Sequence, residues 1–541
     1  MDQIVMRHLN LLERIQYKYL EQVNQGRIKR ISSLVARHEP DHLGKQPVVL
    51  FNATTRIVST SQSAAFAQIT AWGLRMSGIP VKHFVCSEGM SRCVLGTNEN
   101  DPKQTPPCDL CIANSKQLYN GADISWFKYR ENKELNENLA GLSSTKLENF
   151  IYKNIPLGQI VLPSLRWRLR RHHLLDNQTT RYLYREFIKS AFNVIEKFSN
   201  FLDETNPRMV IVFNGQTFPE AAVKFTAKKR GIPVVTHEAG VMPNTGFFTT
   251  GEATAYPIEI PEDFELNDGQ NKRLDEYLEQ RFKGQFSMAG VNFWPEMQEL
   301  DQNFLKKMDQ HKQMVSIFTN VIFDTSQHHA NVVFEHMFKW LDLVKDTATQ
   351  NPETLFVLRA HPDENRPGKA AQESVEQWVK EKRFDELPNV IFIPSSEYIS
   401  SYALVQRAKF VMIYNSSIGL ESILMGKPVI SAGKARFSNY PIIFFPQNVR
   451  KYKKMLAEFL EVKKIDLPDE FIRNARRFLY FQLYKTSLPF GEFVNPHKLR
   501  GYVYLKKFSL DQLSIEKSSA LKTIYESIIN KPTFLLKDEN N

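Results

Sequence analysis

The feature that most constrains this chain is an alternation of short apolar runs with helical stretches, met in two separate series along its length. Apolar runs of this length bounded by turn residues are the pattern of strands buried on both faces, because helices cover both faces of a parallel sheet. The first series opens with Val48-Val49-Leu50-Phe51, ending in Asn52. An alanine-rich helix through Trp72, Leu74 and Met76 stops at Gly78, a helix-closing glycine, and a strand restarts from Ile79 to Cys86. Residues 120–205 read as mainly helical. Met209–Phe213 then ends at Asn214-Gly215, a helix runs from Pro219 to Lys229, and Pro233-Val234-Val235 follows Gly231. The second series has strands over Met314–Asn320, Thr354–Pro362, Asn389–Ser396, Phe410–Ser417 and Lys427–Gly433, with helices between them.

The expected fold class is therefore α/β, with two Rossmann-like domains facing a cleft and added helices at both ends. A chain of 541 residues also exceeds one ordinary hydrophobic core. The expected boundaries are a helical segment over 1–45, a first domain over 46–260 with a cysteine-bearing insertion at 86–111, and an inter-domain crossing over 261–312. A second domain over 313–450 and a helical region over 451–541 complete the chain. Ligands of open α/β sheets bind outside the carboxyl ends of the strands, so the cleft is the expected site.

The formal net charge of +11 favours an anionic partner: nucleic acid, an acidic membrane surface or a phosphorylated substrate. Met1–Arg30 is polar and lacks the apolar region of a signal peptide. The best apolar stretch, Phe410–Ile430, is interrupted by Asn415, Glu421 and Lys427 and cannot span a bilayer. These features predict a cytoplasmic protein, peripheral at most to the inner face of the cell membrane.

Five segments carry chemistry. In Tyr414-Asn415-Ser416-Ser417-Ile418-Gly419-Leu420-Glu421 a strand ends, small polar residues turn the chain and a helix begins. Free amides at a helix start suit a phosphate, Gly419 would let a ligand approach the backbone, and Glu421 could accept hydrogen bonds from a ribose. The plainer alternative is that Ser416 and Ser417 cap the helix and Glu421 complements its dipole. In Arg359-Ala360-His361-Pro362-Asp363-Glu364, His361 could bond a donor phosphate and Arg359 could neutralise it, against a plain loop histidine. In His237-Glu238-Ala239-Gly240, Glu238 is a candidate general base for an acceptor hydroxyl, with His237 as its competitor. Cys86, Cys93, Cys108 and Cys111 are the chain's four cysteines; Cys108-x-x-Cys111 has a chelating spacing, and four thiolates suit a structural zinc, with an iron–sulfur cluster as the alternative. The basic run at 165–173 offers a peripheral membrane contact or a solvated face.

The segment His237–Gly251, together with Leu358–Glu364 and Ser400–Gly433, resembles bacterial capsule polysaccharide biosynthesis proteins, the group that includes Kdo transferases, within the GT-B glycosyltransferases. The resemblance covers roughly residues 205–255 and 315–440. It implies a GT-B-like fold, a nucleotide-sugar donor held by the second domain, a glycan or lipid-linked acceptor held by the first, and no obligatory catalytic metal or other catalytic cofactor. On it, Glu421 would meet the ribose, Ser416, Ser417 and His361 the phosphates, and Glu238 the reaction centre. Lys434 and Arg436, after the last strand, could add charge against the leaving phosphate. The expected function is transfer of a sugar to a surface polysaccharide, with no nucleic acid as partner. The rivals are a sugar-nucleotide epimerase, a CDP-glycerol-type phosphotransferase and, remotely, a zinc-bearing nucleic-acid-binding protein.

Overall fold

The computed structural model describes residues 11–537 apart from 43, 52–59, 99–100, 284–297, 367–369, 498–500 and 531. Its strands are β1 (Val48–Phe51), β2 (Thr60–Ser61), β3 (Val81–Cys86), β4 (Asp123–Phe127), β5 (Met209–Phe213), β6 (Val234–Ala239), β7 (Thr245–Thr249), β8 (Gln313–Phe318), β9 (Thr354–Arg359), β10 (Val390–Ile393), β11 (Phe410–Ile413), β12 (Val429–Ser431), β13 (Leu488–Pro489), β14 (Val494–Pro496) and β15 (Tyr502–Leu505).

Two parallel sheets form the two domains. The second sheet runs β10-β9-β8-β11-β12 and is parallel throughout. In the first, the parallel strands run β4-β3-β1-β5-β6, and β7 and β13 extend the β6 edge antiparallel. Counting parallel strands in chain order, both sheets read third, second, first, fourth, fifth, the order of a Rossmann-like half with a switch point between its first and fourth strands. The strands are what that arrangement demands: β1, β9 and β11 are buried at every position. In the second sheet the switch point puts Thr319-Asn320 beside Tyr414-Asn415. In the first it lies beside Asn214, while Asn52 and the rest of the loop after β1 fall outside the described residues.

Helices Gln62–Met76 and Gln178–Thr205 cover opposite faces of the first sheet, each joined to its own apolar cluster. The end of the chain departs from expectation. Residues 451–541 are not a separate helical region. Helices Val449–Glu461 and Asp469–Tyr480 pack on the second domain, and the chain then returns to the first. There β13 joins the large sheet, β15 pairs with β14 on one side and β2 on the other, and helix Ser519–Ile529 packs against helix Gln62–Met76. That cover explains why helix Gln62–Met76 is buried on nearly all sides and carries alanine along its length. The first domain is therefore discontinuous in sequence. The expected crossing at 261–312 contains helices Asp268–Phe282 and Gln302–Asp309. Among the described residues no helix is long and apolar enough to cross a membrane.

Candidate functional site

The carboxyl ends of the two sheets border a common cavity of about 780 Å³. Glu238, Glu252 and Tyr256 line it from the first domain's side, and His361, Ser416, Ser417, Lys434 and Arg436 from the second.

The floor is the switch point of the second sheet. Asn415 turns the chain there, and three side chains hold it. Its Oδ1 accepts from Asn320 Nδ2 at 2.6 Å and Gln327 Nε2 at 3.1 Å, and its Nδ2 donates to Ser326 Oγ at 3.3 Å. Ser416 and Ser417 follow into the cavity. Ser417 occupies the cap position of helix Ile418–Leu424 without making a side-chain cap bond, so the plain capping role expected for it is not what the structure gives.

His361 lies at the end of β9. Its Nδ1 accepts the Asp363 amide at 3.1 Å, which places the ring proton on Nε2. Burial lowers its pKa, against the opposing pull of Asp363 and Asp324 and with a smaller push from Arg359, which favours the neutral ring. A neutral imidazole with Nε2–H is a hydrogen-bond donor to an oxyanion. Gly433 admits Lys434 and Arg436 to the site. A Cβ there would lie 2.8 Å from the Tyr414 carbonyl oxygen and 3.1 Å from that of Ala330, so only glycine lets the chain pass. The Arg436 guanidinium then stacks 4.4 Å from the Tyr256 ring centre, and the Tyr256 hydroxyl donates to the Ala239 carbonyl at 2.6 Å. Tyr256 thus ties the second domain's arginine to the strand end that carries Glu238.

Alternation along β6 separates the two candidates for the base. Glu238 lines the cavity. His237 turns the other way and stacks on Phe248, ring centres 5.2 Å apart, with Phe213 edge-on at 5.8 Å. Burial lowers its pKa to about 4. His237 is therefore a core residue and does not face the cleft, which corrects the expectation that either residue could.

Three further expectations change. Arg359 is absent from the cavity lining: it is buried and donates to the Ile399 carbonyl, and burial lowers its pKa to about 10. Gly419 makes room for packing, not for a ligand, since a Cβ there would lie 2.5 Å from Ile413 Cδ1 and 3.3 Å from Phe437 Cζ. Glu421 also lies off the cavity. Its Oε1 accepts from Arg281 Nη2 at 2.6 Å and its Oε2 from the Tyr402 hydroxyl at 2.6 Å. Burial opposes the charge on Arg281, yet the Glu421 carboxylate outweighs it and holds the guanidinium pKa above its ordinary value.

The basic run at 165–173 takes part in an inter-domain contact. The Glu373 carboxylate accepts the amides of His172 at 2.9 Å and His173 at 3.0 Å, and the Gln372 amide donates to the Arg170 carbonyl at 2.8 Å. Trp167 packs against apolar clusters of both domains. The four cysteines are free of disulfides and gathered at the end of β3. The expected zinc geometry is not present: among the described residues no group of three or more His, Cys, Asp or Glu side chains is placed to hold a metal ion.

Sequence reading missed Asn320, Asp324, Tyr256 and the His328-His329 pair, all in the lining. His329 Nε2 lies 3.0 Å from Thr254 Oγ1 across the cleft, and burial followed by His328 lowers its pKa to about 4. Their position just past a strand end, as in the β9 segment, was the available signal.

Protein FixF of Sinorhizobium fredii is 29% identical over 175 residues, which are 32% of this chain and 38% of that protein's own length. Two solved structures show remote likeness. The β-Kdo 2,7 transferase of Thermosulfurimonas dismutans KpsC aligns at TM-score 0.32 and 13% identity, covering 59% of this chain and 86% of that one. UDP-GlcNAc 2-epimerase from Neisseria meningitidis aligns at TM-score 0.23 and 13% identity, covering 81% and 99%. Through residues 274–442, which match the family model of capsule polysaccharide biosynthesis proteins, the chain is similar to that family.

Proposed function

We propose that the protein transfers a sugar from a nucleotide-sugar donor to a glycan or lipid-linked acceptor of a surface polysaccharide. The observation that carries this reading is the opposition, across one cavity, of Glu238 from the first domain to a group of anion-binding side chains from the second. Glycosyl transfer needs charge stabilisation on the departing phosphate and a base for the incoming hydroxyl. Lys434 and Arg436 supply positive charge, and His361 Nε2–H with the Ser416 and Ser417 hydroxyls supplies donors. Glu238 takes the acceptor proton. Lys224, paired with Glu252 at 2.5 Å, offsets a carboxylate that would otherwise repel the donor. Nothing in this chemistry routes through a metal. The match to capsule polysaccharide biosynthesis proteins supports the choice of acceptor class.

The test is a binding screen of UDP, GDP, CMP and CDP against the purified protein, followed by a transfer assay with the sugar conjugate of the nucleotide that binds. Product that contains donor sugar joined to acceptor supports the reading. An isomerised nucleotide sugar formed without any acceptor, or release of a nucleoside monophosphate with transfer of a phosphoalcohol, would replace it with the epimerase or phosphotransferase reading.

A further inference from the structure

We propose that the first turns of helix Leu11–His38 dock the protein on an anionic lipid bilayer, inserting Leu11, Leu12, Ile15 and Tyr19 and setting the helix's cationic side chains against the headgroups. The helix has two faces. Tyr17, Asn24, Ile28, Ile31 and Val35 form a buried line that fastens it to the first domain. Tyr17 meets the His497 ring edge-on with centres 5.6 Å apart, and His497 Nε2 lies 3.1 Å from Glu21 Oε1. Asn24 Oδ1 accepts the Leu505 amide at 2.8 Å, and Arg27 Nη1 donates to the Leu505 carbonyl at 2.6 Å. Ile28, Ile31 and Val35 then join the core beneath.

The other face is apolar and open. At about 100° per residue, Leu11, Ile15 and Tyr19 recur on a line about half a turn around from the anchor, with Leu12 beside them. These four side chains are 57% to 77% exposed. Single exposed apolar residues are ordinary, and the other large ones among the described residues stand singly along the sequence. Four within one stretch of helix form a stripe about 12 Å long, which marks an interaction surface. The charges around it are of one sign. Arg14 and Lys18 flank the stripe, and Lys29, Arg30 and Arg37 follow on its side of the helix; all five are exposed. The helix's two acids, Glu13 and Glu21, are both partly buried, and Glu21 is held by His497.

An apolar ridge bordered by exposed cations, with no exposed acid on its helix, complements an anionic bilayer. Acyl chains take the leucines and Ile15. Tyr19 suits the boundary, with its ring among the chains and its hydroxyl among the headgroups. Lysine and arginine meet lipid phosphates, and the net charge of +11 draws the whole protein to such a surface. A second copy of the chain fits the stripe less well. Two stripes packed face to face would bring the flanking cations of both copies together. Their contact would also span about two turns, against the roughly three or four heptads over which a stable helix pair runs.

The experiment mixes the full chain with vesicles of phosphatidylcholine alone, or with about one-third phosphatidylglycerol, and measures binding by flotation at low and raised salt. The wild-type protein should float with the anionic vesicles, bind the neutral ones about tenfold or more weakly, and lose affinity as salt rises. Leu12→Glu with Ile15→Glu, and separately Lys29→Glu with Arg30→Glu, should each weaken binding to anionic vesicles by about tenfold or more. Melting should be unchanged, because all four side chains are exposed. Should the first pair fail to fold, Leu12→Ser with Ile15→Ser takes its place. Wild-type protein that stays unbound beside anionic vesicles, or variants that bind them as well as wild type, overturn the proposal. So does a wild-type dimer, seen by light scattering, that Leu12→Glu with Ile15→Glu splits into monomers, since the stripe would then belong to a second copy. No nucleotide or sugar enters these measurements, so their failure leaves the transfer reading standing.

Discussion

Glu238 and His237 are neighbours with opposite duties, and substitutions separate them. Glu238→Gln keeps shape and hydrogen bonding but cannot take a proton. Transfer should fall by about 100- to 10,000-fold while nucleotide affinity stays within error, measured by steady-state rates and calorimetry. His237→Phe should leave kcat nearly unchanged, because the ring already stacks between Phe213 and Phe248. A dead His237→Phe enzyme with normal melting would reverse the assignment. Lys434→Ala and Arg436→Ala should each weaken nucleoside diphosphate binding by roughly tenfold or more, since a charged hydrogen bond contributes about 1.5–3 kcal/mol. The loss should be larger for the diphosphate than for the nucleoside, and equal losses for both would argue against a phosphate contact. At this scale the sequence was readable where alternation and strand ends decide the matter. Glu238, His361, Ser416, Ser417, Lys434 and Arg436 all reach the cavity. It was misleading where a residue's partner is remote. Nothing near Glu421 announces Arg281, 140 residues upstream.

That ion pair belongs to the level of elements, since it fastens helix Asp268–Phe282 to helix Ile418–Leu424. With side-chain exposures of 12% for Arg281 and 7% for Glu421, water cannot replace a lost partner. Glu421→Ala should therefore destabilise by about 3–5 kcal/mol, the cost of leaving a buried charge unpaired. Chemical denaturation would show this as a lower midpoint. A variant of unchanged midpoint but weakened nucleotide binding would restore the ribose role. Most strands were legible from their apolar runs, because a strand covered on both faces shows no other pattern. The short β13, β14 and β15 were not. Their pairing with β7 and β2 is set by tertiary contact, and β13 ends at a proline.

For the molecule as a whole, several histidines are held neutral by burial. The pKa falls to about 3 at His83 and His172 and to about 4 at His237 and His329. Between the ordinary value of 6.5 and these values the unfolded chain binds more protons than the folded one, so stability falls as pH falls through that window. Glu364 works in the other direction. Burial raises its pKa from 4.5 to about 8, so the unfolded chain releases a proton the folded one keeps, and stability declines from pH 4.5 towards 8. Several histidines outweigh one glutamate below pH 6.5. Melting temperature should therefore peak near pH 6.5, fall steeply on the acid side and gently on the alkaline side; a peak below pH 5 would contradict the buried neutral imidazoles. The two-domain plan was legible in the sequence. The return of the chain end to the first domain was not, because a crossing between domains leaves no local pattern. That return sets an order of events during synthesis. Leu488, Phe490, Leu521 and Ile524 complete the same core as Val48 and Trp72. At the usual pace of translation the first domain must wait on the order of tens of seconds for them. The later-made second domain, continuous through its five strands, is finished first. A nascent chain stalled before Leu488 should leave residues 48–249 open to protease while residues 313–480 resist it. The half of the protein made first is the half that folds last.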